Sequence, residues 1–227
     1  MMKNIAVVLA AGSGSRFGGQ MPKQFIDLNG RMVIDYSIET FIQCPAIDEV
    51  AVVVHPDYFE LICDEIDLRK WDKVHNIIEG GKERYLSSVN ALSSLYDSDD
   101  DTNIIFHDAA RPWLSPAIVN RVVAALEKYE AVGVGIPTTD TVWEVVSSGS
   151  SSTVISRIPD RPRIYRAQTP QAFRYPLIHR AYQRALLDPG FRATDDCGVL
   201  LKYMPDIEIH VVEGDEANRK ITFSYDL

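Results

Sequence analysis

The chain has 227 residues, 46% of them apolar, which is enough to bury the core of one moderate-sized domain and excludes a disordered chain. Its formal charge of −9 argues against broad binding to nucleic acid or membrane surfaces, so a site for an anion must be a local group of Lys and Arg side chains. With no apolar stretch near the ~20 residues of a membrane span, and with only three widely spaced cysteines that form neither a disulfide framework nor a metal knuckle, we expect a soluble protein of the cytoplasm.

Five short apolar runs alternate with segments of helical periodicity along the chain. They are Ile5–Ala10, Val50–Val54, Val74–Glu79, Asn103–Phe106 and Ala131–Ile136. This alternation is typical of a parallel sheet that is covered by helices on both sides through right-handed crossovers. The sequence therefore predicts a single α/β domain over residues 1–227, with a mostly parallel sheet and a ligand site at the carboxyl ends of its strands.

The first predicted strand leads directly into a loop that is rich in glycine and in cations, "LAAGSGSRFGGQMPKQF". Gly12 and Gly14 can adopt positive φ and let the backbone approach a ligand closely. Exposed N–H groups in such a loop bind anions, while Arg16 adds a planar fork of donors and Lys23 a mobile point charge. The spacing fits neither the dinucleotide-binding fingerprint nor the Walker loop. It predicts a polyphosphate site of another class, with a purely structural glycine turn as the alternative.

Two later stretches also follow predicted strands. "GGKERYLSSV", residues 80–89, enters a predicted helix at about Ser87, and an ordinary capped helix N-terminus is one explanation of it. "FHDAARPWLS", residues 106–115, ends the fourth strand at the expected ligand edge, where Asp108 offers the hard oxygen that Mg²⁺ prefers. We expect His107 to be a satisfied core residue rather than a general base.

The segment "TVWEVVSSGSSSTVISRIP", residues 141–159, predicts two strands, Thr141–Val146 and Thr153–Ile158, joined by a Ser/Gly loop. An isolated two-stranded ribbon is marginally stable in water, so its valines and isoleucines need a cover. We expect a protruding β-hairpin arm at about residues 139–161 that packs on a second subunit. The alternative is a hairpin that folds back on its own domain.

The C-terminal part of the chain predicts two helices and a strand. The helices are expected at Pro176–Leu187 and Thr194–Tyr203, the second with Thr194 as a candidate N-cap, and the strand at Ile207–Val212. The chain stops at "KITFSYDL", where one further helix could begin.

Together, the strand followed by "LAAGSGSRFG" and "PKQF" resembles the signature of nucleotidyltransferases that make activated sugars and polyols, and the Pro-Lys-Gln form is similar to that of the cytidylyltransferases. The resemblance covers at least residues 5–227, with the motifs in the family order. It points to the family of 2-C-methyl-D-erythritol 4-phosphate cytidylyltransferase and ribitol-5-phosphate cytidylyltransferase. It implies a Rossmann-like nucleotidyltransferase fold, CTP and a polyol phosphate as substrates, Mg²⁺ as cofactor, and a homodimer through a swapped β-arm.

The resemblance also implies roles for individual residues. Catalytic charges at the triphosphate would come from Arg16, Lys23 and Lys220. The nucleotide, with cytosine and ribose near the second motif, would be bound by Ala10, Ala11, Gly12, Gly14, Gly80, Gly81, Arg84, Ser87 and Asp108, the last of which would also hold the metal. The phosphate of the second substrate would be held by Arg111 and, from the arm of the neighbouring subunit, by Thr141 and Arg161. The chain departs from the family at Ala217, where related sequences often have aspartate.

The implied reaction is direct in-line attack by an oxygen of the polyol phosphate on the α-phosphorus of CTP. It needs no covalent enzyme intermediate, and no general base because the phosphate is already ionised. Tyr165 stands where the isoprenoid enzyme often has tryptophan, which favours ribitol 5-phosphate over 2-C-methyl-D-erythritol 4-phosphate. A nucleotide-binding module without catalysis and a sugar-1-phosphate uridylyl or guanylyl transferase are the alternatives, the second disfavoured by "PKQF".

Overall fold

The structure is a computed structural model that describes residues 2–12, 21–95, 101–148 and 152–227. The strands in these ranges are β1 Lys3–Ala10, β2 Glu49–Val54, β3 Val74–Glu79, β4 Thr102–Asp108, β5 Ala131–Pro137, β6 Glu144–Ser148, β7 Ser152–Arg157, β8 Tyr165–Arg174 and β9 His210–Glu213. The α-helices are α1 Val33–Gln43, α2 Phe59–Arg69, α3 Arg84–Ser94, α4 Pro116–Leu126, α5 Tyr175–Leu186 and α6 Asp196–Tyr203. Short 3-10 helices lie at Lys23–Phe25, Pro56–Tyr58, Arg161–Arg163 and Ser224–Asp226. No helix in these ranges combines the length and the apolar character needed to cross a bilayer.

The main sheet has the strand order β3-β2-β1-β4-β8-β5-β9. β8 runs antiparallel to both of its neighbours and the other pairings are parallel, which confirms the predicted mostly parallel α/β fold. β2 and β3 lie on one side of β1 and β4 lies on the other, so the strand order reverses between β1 and β4. Leu9 pairs with Asp108 at the carboxyl end of this reversal. In open α/β sheets the crevice at such a point is where ligands bind.

Both faces of the central strand β1 are buried, which explains its unbroken apolar sequence. Val8 and Ala10 pack into a core with α1, α2 and α4, whereas Val7 and Leu9 pack into a second core with α3, α5 and α6. Burying an aliphatic side chain of this size contributes about 1.5–3 kcal/mol relative to leaving it exposed. The two cores therefore fix the position of β1, and with it the position of the loop that follows.

The sequence analysis did not predict β8, although this strand lies in the middle of the sheet. Its sequence is rich in polar residues and contains Pro170, which cannot donate a ladder hydrogen bond. The pairing with β5 shifts register so that the residues between Gln168 and Gln171 have no partner on β5. This bulge accommodates the proline and leaves Thr169 free to contact the end of β4.

Two predicted helix starts were wrong. α3 begins at Arg84 rather than near Ser87, whose hydroxyl instead accepts a backbone N–H from the preceding glycine turn. α6 is capped by Asp195 rather than Thr194, because the Asp195 carboxylate accepts the N–H of Gly198 at 2.8 Å. The predicted strand 207–212 is also shorter and later, as the bounds of β9 show.

β6 and β7 pair as a separate two-stranded antiparallel sheet, with bounds that differ by a few residues from the two predicted strands. All residues of both strands are exposed. The hairpin and its flanks expose the apolar side chains of Val142, Trp143, Val145, Val146, Val154, Ile155 and Ile158. The alternative in which the hairpin folds back on its own domain is therefore wrong.

Candidate active site

A pocket of about 240 Å³ lies at the carboxyl edge of the sheet, beside the reversal of strand order. Its walls come from the end of β1, the segment after Pro22, the start of α3, the end of β4 and the segment that follows β9. The predicted site residues that line it are Ala10, Ala11, Gly12, Lys23, Gly81, Arg84, Ser87, Asp108 and Lys220. Gly14 and Arg16 lie outside the described residues. The pocket thus joins residues that are far apart in the sequence.

The two glycines after β3 are tightly packed, Gly80 against the end of β1 and Gly81 against α3. A Cβ atom on Gly80 would lie 2.0 Å from the Cβ of Ala11, and a Cβ on Gly81 would lie 2.2 Å from the Cβ of Leu86. Real Cβ atoms do not approach so closely, so both positions require glycine. The Gly81 N–H donates to the Ser87 hydroxyl at 3.1 Å, which holds this turn against the start of α3.

A glutamine that the sequence analysis missed holds the end of β1. The buried side-chain amide of Gln24 donates to the carbonyls of Ala10 and Gly12, at 2.5 and 2.8 Å. In the sequence, the position of Gln24 in "PKQF", directly after Lys23, could have indicated this role. Gly12 can adopt a positive φ but does not, and the described residues around it leave room for a side chain. The side-chain bonds from Gln24 hold the turn instead.

Asp108 at the end of β4 is the centre of the pocket's charge. Lys220 Nζ donates to one carboxylate oxygen at 2.7 Å, and Arg84 Nε donates to the other at 3.0 Å. Burial alone would raise the pKa of Asp108, but the charges of Arg84 and Lys220 outweigh burial and hold its pKa well below the usual range. Asp108 is therefore ionised at every physiological pH.

Lys23 and Lys220 meet in the pocket although almost the whole chain separates them. Lys23 Nζ donates to the carbonyl of Ile221, the residue after Lys220, at 2.6 Å. With Arg84 and Lys82, four cations line the pocket, against the two carboxylates of Glu83 and Asp108. The local charge is positive although the chain is acidic overall, and such a concavity attracts a polyanion.

The residues present fit a magnesium ion that arrives with a phosphate ligand, and not a metal held by the protein alone. Among the residues that the structure describes, no group of three His, Cys, Asp or Glu side chains could hold a metal. Asp108 offers one carboxylate, and each of its oxygens keeps a lone pair beyond the bond that it accepts from a cation. Mg²⁺ commonly takes one or two carboxylates and completes its shell with water and phosphate oxygens.

The three residues that were expected at the second phosphate do not line this pocket of the same chain. The Arg111 guanidinium donates to the carbonyls of Asn218 at 2.7 Å and Ala167 at 3.3 Å, and burial lowers its pKa. Thr141 and Arg161 lie at the base of the hairpin, where Arg161 donates to the carbonyl of Thr139 at 3.3 Å. Thr141 and Arg161 were expected to act in the pocket of a neighbouring subunit, which a single chain does not contain.

A buried polar network behind the pocket was also missed. The Thr169 hydroxyl accepts the N–H of Asp108 at 3.1 Å and lies 3.0 Å from His107 Nδ1, while His107 Nε2 lies 3.2 Å from the carbonyl of Arg111. Because a carbonyl only accepts, Nε2 carries the hydrogen and Nδ1 accepts from Thr169. Burial lowers the pKa of His107 to about 4, so this histidine is a neutral core residue, as the sequence analysis expected.

His107 should make the protein less stable in acid. Its pKa is about 4 in the folded chain against an ordinary 6.5, so its contribution is complete above pH 6.5 and is lost as the pH falls towards 4. Between pH 7 and 4.5, the wild type should lose about 2 kcal/mol of unfolding free energy more than His107→Gln. Urea unfolding of both proteins at both pH values measures this difference. Asp35, with a pKa of about 6, titrates in the same window with the opposite sign but is present in both proteins. Equal losses would show that His107 takes up its proton in the folded state.

Comparison with known proteins identifies the family to which the chain belongs. A family model described as "IspD: 2-C-methyl-D-erythritol 4-phosphate cytidylyltransferase" matches residues 4–227. Over 222 residues the chain is 42% identical to 2-C-methyl-D-erythritol 4-phosphate cytidylyltransferase of Thermobifida fusca, covering 98% of this chain and 89% of that protein.

Two further similarities are informative. Over 225 residues the chain is 37% identical to the bifunctional ribulose 5-phosphate reductase/CDP-ribitol pyrophosphorylase of Haemophilus influenzae, covering 99% of this chain and 47% of that protein. Its fold is similar to the crystal structure of 4-diphosphocytidyl-2C-methyl-D-erythritol synthase from Anaerococcus prevotii, with a TM-score of 0.84 and 29% identity, covering 99% of this chain and 92% of that one.

Proposed function

Because the chain belongs to the IspD family and is a cytidylyltransferase, we propose that it joins CTP to 2-C-methyl-D-erythritol 4-phosphate and releases pyrophosphate. The observation that carries the proposal is the convergence of Lys23, Arg84 and Lys220 around Asp108 in one pocket. Family membership removes the alternatives of a non-catalytic nucleotide-binding module and of a uridylyl or guanylyl transferase.

The choice of polyol follows the relatives rather than the single residue that favoured ribitol 5-phosphate. The Thermobifida protein and the Anaerococcus structure are both named for the methylerythritol compound, and so is the family model. Ribitol 5-phosphate is the second candidate, supported by Tyr165 and by the Haemophilus relative. Selectivity between small polyols can rest on only ~1–3 kcal/mol, so one pocket residue could reverse the preference.

In the proposed reaction an oxygen of the polyol phosphate attacks the α-phosphorus of CTP. A new P–O bond forms, the bond from the α-phosphorus to the bridging oxygen of the β-phosphate breaks, and pyrophosphate leaves with the electron pair. Both reactants are anions, so the pocket must offset their repulsion and then stabilise the charge that develops on the transferred phosphoryl group. No residue of the chain has to take up a proton.

We assign these tasks to the cations of the pocket. Lys23 and Lys220 would contact the triphosphate, and Arg84 with the turn at Gly81 and Ser87 would hold the nucleoside end. Arg16, which follows β1 in the sequence and lies outside the described residues, would add a further charge. Asp108 would hold the magnesium ion, which would supply positive charge to the triphosphate.

We further propose that the second phosphate is held at a dimer interface, by Arg111 of one chain and by Thr141 and Arg161 from the hairpin of another. The exposed apolar side chains of the hairpin support this proposal, because a lone two-stranded ribbon of this composition needs a cover. A dimer would also explain why Thr141 and Arg161 do not line the pocket of their own chain.

Charging the hairpin should separate the subunits and reduce turnover together. Val145 and Ile155 pair across the hairpin and are each about half exposed. In the double variant Val145→Glu/Ile155→Glu, we expect a monomer by sedimentation velocity and at least a tenfold lower kcat/KM, since two phosphate contacts are lost. Leu68→Glu, on an exposed position of α2, is the matched control and should leave the dimer intact. A wild-type monomer with full activity would contradict the interface.

Pyrophosphate release tests the reaction itself. The protein is incubated with Mg²⁺, each of the four ribonucleoside triphosphates in turn, and either 2-C-methyl-D-erythritol 4-phosphate or ribitol 5-phosphate. We expect release only with CTP, and faster release with the methylerythritol compound. Faster release with ribitol 5-phosphate would replace the first polyol by the second candidate, and no release with any combination would refute the proposed function.

A further inference from the structure

One buried carboxylate beside the pocket has no part in the reaction described above. Asp196, the first residue of α6, is fully buried, and its Oδ2 accepts from Arg84 Nη1 at 2.7 Å. Its other oxygen accepts from the Tyr182 hydroxyl at 2.6 Å, and its N–H donates to the side-chain carbonyl of Gln171 at 3.0 Å. Three hydrogen bonds from different directions therefore hold Asp196 in one position.

The consequence for Arg84 is geometric. A guanidinium is a rigid plane, so two bonds that leave it in different directions fix the plane and the direction of every remaining donor. Arg84 uses Nε for Asp108 and Nη1 for Asp196. Its Nη2 atom is buried and has no hydrogen-bond partner among the described residues. The Arg84 side chain as a whole is 25% exposed and lines the pocket, so a guanidinium of fixed orientation forms part of the pocket wall.

The negative charge of Asp196 does not itself favour binding of a nucleotide, which is also an anion. A carboxylate near a site for an anion repels the anion, so charge alone predicts that removing Asp196 would strengthen binding of CTP. Burying a second carboxylate also costs desolvation free energy, which the ion pair with Arg84 and the Tyr182 bond must offset. The pKa of Arg84 is accordingly raised above its ordinary value, because Asp196 and Asp108 outweigh the effect of burial.

We propose that Asp196 is a positioning residue, which holds the Arg84 guanidinium in the pocket wall in the orientation that contacts the bound cytidine nucleotide. This inference rests on the proposed function, because it concerns the affinity for CTP. It assigns a role to a residue that lies 112 positions from Arg84 in the sequence. Asp196 itself contacts neither substrate.

The test is Asp196→Asn, which keeps the shape of the side chain and an oxygen for Tyr182 but removes the charge and turns a donor towards Arg84. We expect the KM for CTP to rise about 10- to 100-fold, as for loss of a charged hydrogen bond. The KM for the polyol phosphate should change less than about threefold, because Asp196 acts only through Arg84. A folded variant whose KM for CTP is unchanged or lower would overturn the proposal.

A double-mutant cycle separates positioning from a general loss of structure. Arg84→Met should raise the KM for CTP, and Asp196→Asn should add less than about threefold to that rise in the Arg84→Met background. If Asp196→Asn alone does not fold, the double variant still decides, since it removes both charges and leaves no unpaired ion. A full further rise in that background would overturn the proposal.

Tyr182→Phe is the matched control. It removes one buried hydrogen bond to the same carboxylate but keeps the ion pair with Arg84, so we expect lower thermal stability and a KM for CTP within about threefold of the wild type. If Tyr182→Phe raised the KM for CTP as much as Asp196→Asn, any disturbance of the network would have this effect, and the positioning role of Asp196 would be overturned. The wild type is assayed alongside the variants. If it turns over CTP, a negative result with the variants counts against this inference alone; if it does not, the proposed function fails.

Discussion

Replacing Lys23 by alanine is expected to lower kcat/KM by about 10²–10³ while the fold is kept, which corresponds to about 2.7–4 kcal/mol of transition-state stabilisation. Lys23 lines the pocket, and its ammonium lies at the carbonyl of Ile221, next to Lys220 in sequence. In the proposed reaction, the two ammonium groups would lie near the triphosphate and offset the repulsion between the anionic reactants. The pocket would lose one of these fixed charges.

Steady-state pyrophosphate release and thermal unfolding of the same preparation measure this prediction. Loss of one hydrogen bond to a carbonyl changes stability by about 1 kcal/mol, so the variant should remain folded. Lys128→Ala, an exposed position after α4, changes the net charge equally and should leave turnover unchanged. Unchanged turnover in Lys23→Ala would remove this lysine from the mechanism.

Replacing Gly80 by alanine is expected to reduce kcat/KM about 100-fold, through geometry rather than through charge. The added Cβ would lie 2.0 Å from the Cβ of Ala11, so the turn after β3 must move away from the end of β1. The φ angle of Gly80 is one that other residues adopt, which makes the overlap itself the cause. A displacement of about 1 Å at a reacting centre can cost this factor, and overpacking costs about 1–3 kcal/mol of stability.

Gly135→Ala is the control for this prediction. Gly135 lies in β5 away from the pocket, and a Cβ there would meet its nearest neighbours at 3.6 Å, an ordinary van der Waals distance. We expect this variant to keep both its activity and its melting temperature. If Gly80→Ala retained wild-type kcat/KM, the contact between the two strand ends would not set the geometry of the site.

The parallel part of the fold could be predicted because its strands are buried on both faces and are therefore continuously apolar. The same criterion missed β8, whose buried polar residues serve the network behind the pocket rather than a core. Proline is unfavourable in a central strand, but the bulge in the pairing of β8 with β5 accommodates Pro170. Helix starts were misplaced where a serine or threonine looked like a cap but an aspartate, or no side chain, served instead.

Residue types next to strand ends indicated much of the pocket, since a glycine-rich turn and Asp108 must meet at one edge of a parallel sheet. Long-range partners could not be predicted in this way. The contact of Lys23 with the segment at Ile221 and the pairing of Arg84 with Asp196 depend on tertiary packing, which spacing in the sequence does not encode. The resemblance to a family pointed to Lys220, but no motif in the sequence marked Asp196.

The crystal structure of the protein with CTP tests the central claim most directly. We predict that the triphosphate lies in the pocket between β1 and β4, with phosphate oxygens about 3 Å from the ammonium groups of Lys23 and Lys220. A nucleotide bound elsewhere, or a triphosphate that contacts neither lysine, would contradict the account.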